Sequence, residues 1–277
     1  MAAVSSAESS ALPCAAAVLT HACASRVRFT VQLNRYDARF KEMKERYFPM
    51  TKKELALLAV EALKKEYPDA ICSLEYQDPL QLLISTRLSA QCTDARVNLV
   101  TPALFARFPT LEAFCEGTEE EIRELIHSCG FYKIKSKDIL AACRMIRDEF
   151  GGRVPDTIEE LTRLPGVGRK TANLVVGDIY GKPAVVTDTH CIRITGRLGL
   201  TKNTAPAKVE DDLRAVLPPE ESNDFCHRLV LHGRAVCTAR KAMCENCCMQ
   251  EFCKKSGLNP PAKKTAAKKN KEQSKKA

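Results

Sequence analysis

Three sets of residues in this sequence have types and spacing that could do chemistry. Lys170 lies in "LPGVGRKTANLVV", Leu164 to Val176, where two glycines flank a valine and Arg169, Lys170 and Thr171 open an apolar run. Asp188 lies in "VVTDTH". Cys237, Cys244, Cys247 and Cys253 are spaced C-x6-C-x2-C-x5-C. A neutral amine attacks electrophilic carbon and forms a Schiff base. A fixed carboxylate stabilises positive charge that builds in a transition state. Four thiolates within seventeen residues make a metal site. Each set also has a plainer reading. Lys170 can be a solvated or phosphate-gripping side chain, Asp188 a helix N-cap, and the cysteines a chance cluster in a chain with 14 of them.

The elements that must position these groups are helical. From Thr51 onward apolar residues recur at three- and four-residue spacing, as in "LALLAVEALKK", "KDILAACRMIRDEF" and "IEELTRL". Thr51 and Glu54 form a capping-box pattern at the start of the first helix. Turn residues such as "FGGRVPDT" separate the helices. "AVVTD" is too short to build a sheet and reads as an extended lead-in to a helix beginning near Thr189. The class is all-α.

Around Lys170 the pattern is helix, tight turn, helix. Gly166 and Gly168 permit backbone shapes and close approaches that a Cβ would block. The turn amides and the following helix N-terminus form an anion nest, for which a phosphate is the natural ligand. A P-loop requires four residues between its first Gly and the Gly-Lys pair, whereas Gly168 is followed by Arg169. A dinucleotide fingerprint requires a preceding strand and a third Gly. A DNA backbone phosphate remains. A solvated lysine titrates near ~10.4. The first turn of a helix, beside Arg169, favours the neutral amine at Lys170.

Composition bounds the rest. The chain has 277 residues, a net charge of +9 and no Trp. Part of the surplus sits in the Lys-rich segment 259–277, which reads as a disordered basic tail, either solubilising or attracted to nucleic acid. Scattered cysteines such as Cys72, Cys92, Cys129, Cys143 and Cys191 suit buried reduced thiols and a reducing compartment. No stretch approaches ~20 uninterrupted apolar residues, so no membrane span is expected. The N-terminal segment lacks a basic start and carries Glu8, which argues against a signal peptide. His232, in "VLHGRAVC", is expected to help terminate a helix.

"LPGVGRKTAN", then "VVTDTH", then the four-cysteine pattern resembles the endonuclease III family of base-excision DNA glycosylases, within the helix–hairpin–helix superfamily. The resemblance runs from about Thr51 to Leu258 and includes "LSAQCTD", "GFYKIKSKDI" and "LHGRAVC" in order. It implies a helix–hairpin–helix DNA glycosylase fold, with a six-helix barrel over 72–182 and an iron–sulfur domain made of 51–71 plus 183–258. Lys170 and Asp188 are then expected to face each other across a cleft. Residues 1–50 are expected to be an extension outside the fold, disordered or a non-native start.

By the same resemblance Lys170 is the Schiff-base nucleophile and Asp188 the essential carboxylate. Gln91 is the inserting residue and Phe131 the apolar wedge. Gly166, Gly168, Arg169, Thr171 and His190 are expected to contact DNA, and so are Arg240 and Lys241 in "TARKAM", a basic finger held out by the cysteine loop. The spacing alone leaves zinc open at the cysteines. The resemblance implies a [4Fe-4S] cluster on Cys237, Cys244, Cys247 and Cys253, with Cys248 an extra thiol. The activity implied is removal of oxidised pyrimidines from duplex DNA, followed by β-elimination at the abasic site. The alternatives are a monofunctional mismatch adenine glycosylase, which would lack Lys170, and a non-catalytic DNA-binding protein. The expected partner is damaged or abasic duplex DNA, bound by a monomer. The expected setting is the bacterial cytoplasm, at the nucleoid, or alternatively an organelle addressed by residues 1–49.

Overall fold

The computed structural model describes residues 50–258; the extension at 1–49 and the tail at 259–277 lie outside the described residues. Eleven α-helices make up the described part: α1 Lys52–Glu66, α2 Pro79–Ser89, α3 Asp94–Arg107, α4 Leu111–Glu116, α5 Glu119–Leu125, α6 Tyr132–Glu149, α7 Ile158–Leu161, α8 Arg169–Asp178, α9 Thr189–Leu198, α10 Pro206–Arg214 and α11 Ser222–Ala235. Among the described residues the β-pairing is a single isolated bridge, Cys237 to Ala242. The segment before Asp188 forms no strand and ends in a tight turn, in which the Asp188 amide donates to the Val186 carbonyl at 3.0 Å.

Most helix starts are written in the sequence. Thr51 and Thr118 make full capping boxes with Glu54 and Glu121. Asp78, Thr93, Thr110, Thr157 and Asp188 each accept a backbone N–H with the side chain. Two starts differ. α6 begins at Phe131 and α8 at Gly168, both without a side-chain cap. Their first amides stay free of the usual internal partners.

Residues 72–182 carry α2 to α8. α6 packs on α4 and α5, and α2 contacts α3, α6 and α8. Their inner faces bury Leu82, Leu88, Leu104, Ile122, Ile146 and Leu161 almost completely, each burial stabilising by about 1.5–3 kcal/mol. α11 packs on α1 and α9 and also reaches α8. Leu63, Phe225, Leu229 and Leu198 are buried on those helices. Polar contacts reinforce the α1–α11 end: Lys64 pairs with Glu221, and the Tyr67 hydroxyl meets His232 Nδ1 at 3.2 Å.

The cysteines behave as small hydrophobes. Cys115, Cys129, Cys143, Cys191 and Cys226 are buried free thiols. Burial pushes the Cys143 thiol up to about 12, so it stays protonated and inert.

Candidate active site

Lys170 is the second residue of α8 and is exposed. The turn before it runs Leu164–Gly168, with Leu164 and Val167 buried as plugs. The two glycines serve different ends. Gly166 has φ +74°, and a Cβ there would lie 2.5 Å from Arg87 Nε and 2.7 Å from Asp138 Oδ2. Its lack of a side chain is a packing requirement. Gly168 has an ordinary φ of −95°, and a Cβ there would meet nothing within 4 Å. Internal packing therefore does not call for glycine at 168.

Asp188 is the N-cap of α9. Its Oδ1 accepts the Cys191 amide at 2.7 Å, and the residue is half-buried. The cap fixes the carboxylate and leaves it beside the open helix end.

One buried residue joins the two helices. Asn173, on α8, is fully buried. Its Oδ1 accepts the Val185 amide at 3.1 Å, three residues before Asp188, and Arg214 Nη2 at 2.8 Å. Arg214 also donates to Glu210 Oε1 at 3.0 Å. Arg169 completes the ring with two bonds to Glu210, at 2.7 and 2.9 Å. Burial would raise the Glu210 carboxyl, but the Arg169 and Arg214 guanidiniums outweigh it and hold the group below the usual range. The charge expected beside Lys170 is thus shared with a carboxylate, although the Arg169 side chain remains 49% exposed. Thr171 is half-buried on the same turn.

His190 follows Asp188 by two residues and feels the charges of both candidate catalytic groups. Burial lowers its pKa below the usual 6.5, Asp188 opposes that, and Arg193, Arg234 and Lys170 reinforce it. The imidazole is therefore neutral at pH 7. Arg193 Nη2 lies 3.1 Å from its Nδ1. The ring packs so closely on Gly233 of α11 that a Cβ there would collide with it.

Gln91 and Phe131 lie in two neighbouring turns. Both are exposed, Phe131 by 59%, and both have left-handed φ, +54° and +58°. Non-glycine residues adopt this conformation rarely and at some cost.

The cysteine loop follows α11. Cys237, Cys244, Cys247 and Cys253 line one small pocket with Arg197, Met243 and Leu258; Cys248 lies outside that lining. N–H groups point at the sulfurs. Arg197 Nη1 is 3.3 Å from Cys237 Sγ, and the Met249 and Lys255 amides are each 3.4 Å from the Cys247 and Cys253 sulfurs. His232 Nε2 is 3.3 Å from Cys247 Sγ. The Cys247 thiol is held down to about 4 by Cys248, then by His232 and the Met249 amide. The four thiols share one pocket and three of their sulfurs meet N–H donors, but among the described residues no three of them are drawn close enough to hold a metal ion. His232 thus does more than end a helix. Its carbonyl accepts the Val236 and Cys237 amides, while its ring ties Tyr67 to the cysteine loop.

Arg240 and Lys241 are exposed at the tip of the loop between Cys237 and Cys244. Arg197 braces that tip, donating to the Thr238 carbonyl at 2.7 Å and to Ala239 at 3.1 Å. The polar ring of Asn173, Glu210 and Arg214, and the braces Arg193, Arg197 and His232, escape sequence reasoning because their partners lie far along the chain. The one local signal is an acid and a base four apart, Glu210 and Arg214, on one helix face.

The model of the HhH-GPD superfamily of base excision DNA repair proteins matches residues 84–219. Endonuclease III of Synechocystis sp. is 52% identical over 204 residues, covering 73% of this chain and 93% of the relative. Endonuclease III of Rickettsia conorii is 39% identical over 193 residues, covering 70% and 92%. A solved structure of a trapped endonuclease III–DNA covalent intermediate, an estranged-adenine complex, matches with TM-score 0.70 at 39% identity, covering 74% of this chain and 97% of that one.

Proposed function

Since the chain belongs to the endonuclease III family, we propose that Lys170 is its nucleophile and Asp188 the carboxylate that stabilises the sugar cation. As a member it is a base-excision DNA glycosylase and AP lyase. The Lys170 amine attacks C1′ of a damaged nucleotide, and the base leaves with the bonding electrons and takes up a proton. Positive charge builds on the sugar in that step, and Asp188, fixed by its own capping bond, faces it. The attached nitrogen then loses a proton and pushes out O4′, which leaves with the C1′–O4′ electrons and is protonated, and the resulting Schiff base makes the 2′ proton acidic. Its loss expels the 3′ phosphate and breaks the strand. Oxidised pyrimidines in duplex DNA are the substrate class.

The observation that carries this reading is the Asn173 link. It ties the helix that carries Lys170 in its first turn to the segment that ends in Asp188. Lys170 lies in the first turn of α8 and Asp188 caps α9, and a helix N-terminus favours an anionic backbone alongside. The turn at Gly166 and Gly168 takes a backbone phosphate, with Arg169 and Thr171 at its edge. The open space over Gly168 is where a phosphate comes close. Gln91 and Phe131 fill the gap left by the extruded base. His190, neutral, donates a hydrogen bond to the backbone rather than a charge. Arg240 and Lys241 supply phosphate contacts from the loop tip.

Cys237, Cys244, Cys247 and Cys253 hold the [4Fe-4S] cluster in this reading. When bound, the cluster supplies four iron–thiolate bonds that pin the basic loop. The N–H groups at the Cys237, Cys247 and Cys253 sulfurs support thiolate ligation.

One assay tests the nucleophile. The enzyme is incubated with duplex carrying thymine glycol or an abasic site, with and without borohydride. Wild type should give a trapped covalent complex, and Lys170→Gln and Lys170→Ala should give none. Persistent trapping in both variants overturns the assignment. A monofunctional glycosylase would release base without trapping, and a non-catalytic binder would do neither. For the cluster, purified protein that is colourless and holds stoichiometric zinc overturns the iron assignment.

A further inference from the structure

Lys135 is 1% exposed, and its ammonium donates to the Leu88 carbonyl at 2.7 Å. Burying a cation is among the costliest placements a chain can make. If the site only needed filling, an apolar side chain of similar length would serve better. The lysine therefore has a task that needs its charge and reach. Burial lowers its pKa, and the Arg87 charge lowers it further.

Its position indicates the task. Leu88 is in the last turn of α2, where carbonyls lack helical partners. Three residues on, the chain turns through Gln91 in the left-handed region. Lys135 itself is in the first turn of α6, and its amide donates to the Phe131 carbonyl at 3.1 Å. Phe131 is likewise left-handed. The two turns also touch directly, since a Cβ on Gly130 would sit 3.5 Å from the Gln91 carbonyl oxygen. A second strut runs in parallel. Arg87 Nε donates to Asp138 Oδ2 at 3.0 Å, joining the same two helices, and Gly166 of the hairpin rests on that pair. Strained residues persist only where their surroundings hold them.

We propose that Lys135 is a positioning residue for base extrusion: its bond to Leu88 locks the Gln91 and Phe131 turns into one rigid two-pronged wedge that enters the duplex as a unit. This rests on the reading of Gln91 and Phe131 as the inserting residues. Lys135 touches neither DNA nor the reacting atoms. It acts on the step that removes a stacked base from the helix, and not on the chemistry at C1′.

The two activities of the enzyme separate these steps. Excision of thymine glycol from a duplex requires extrusion of a stacked base. Borohydride trapping on a preformed abasic site has no base to extrude. Full-length Lys135→Met, as purified with its metal, should lose about tenfold or more in single-turnover excision. It should keep abasic-site trapping within about twofold of wild type. Equal loss in both assays, or loss in neither, overturns the proposal.

Gln91→Ala and Phe131→Ala run alongside. If neither slows excision, the insertion reading fails and takes the proposal with it; if both do while Lys135→Met does not, Lys135 alone is excluded. Should Lys135→Met fail to fold, the double variant Gln91→Ala/Phe131→Ala decides. A unit wedge predicts a double effect well below the product of the two single effects. A multiplicative effect means the prongs act independently and overturns the proposal.

Discussion

In the proposed mechanism Asp188 has two tasks that one atom exchange can separate. It caps α9 through the Cys191 amide, and it presents a charge to the sugar. Asparagine caps a helix as well as aspartate does. Asp188→Asn should therefore melt within a degree or two of wild type, while excision falls by ~100-fold or more. Asp188→Ala should lose about 1 kcal/mol of stability as well. Thermal melting beside single-turnover excision checks both, and an active Asp188→Asn enzyme would leave only the capping role. Lys170 and Asp188 stand out in the sequence only through the motifs around them that resemble the family, since alone each reads as a surface lysine or a helix cap. Asn173 is not legible. A buried asparagine on an apolar helix face resembles any other polar interruption until the Val185 amide arrives from 12 residues away.

At the scale of elements, the hairpin separates glycine for packing from glycine for ligand. Gly166→Ala combines an unfavourable φ with collision against Arg87 and Asp138. It should cost about 2–4 kcal/mol by thermal denaturation. Gly168→Ala should fold normally yet weaken binding to duplex DNA, since its Cβ meets only outside space. Normal DNA affinity for a well-folded Gly168→Ala would remove the phosphate from that turn. The clamp between α8 and α10 has a pH signature. Glu210 is held below its ordinary pKa in the fold, so its contribution is complete above the unfolded value of about 4.3. It fades as pH falls through the depressed value. Glu210→Gln should cost about 2 kcal/mol near pH 7, with the partly exposed arginines limiting the loss. The gap to wild type should close in acid, and a gap independent of pH would count against the clamp. Threonine and aspartate caps make most helix starts readable one residue at a time. The start of α6 is not readable that way, because Phe131 enters it left-handed without a cap and is held by Lys135 and its neighbours.

Across the whole molecule, charge and covalent chemistry meet at the cysteine loop. Replacing Arg240 and Lys241 by alanine should weaken DNA binding about equally for damaged and undamaged duplex. It should also reduce the slope of log affinity against log salt by about 1 per lost contact. An unchanged slope would place the loop away from the phosphates. The all-α class and the order of its parts are legible, because helical periodicity and motif order both run along the chain. Closure of the chain on itself is not, because no local pattern announces that Tyr67 will meet His232. That last contact spans 165 residues. It reaches from just beyond the first described helix to the last, and through His232 to Cys247. Ribosomes add about 5–20 residues per second, so α1 waits roughly ten to thirty seconds for its partner to be made. Throughout that interval its apolar face, with Leu55, Ala59 and Leu63, lacks the surface it will cover. A nascent chain at that stage is a client for chaperones until α11 and the cysteine loop behind it have been made and the contact through His232 can close.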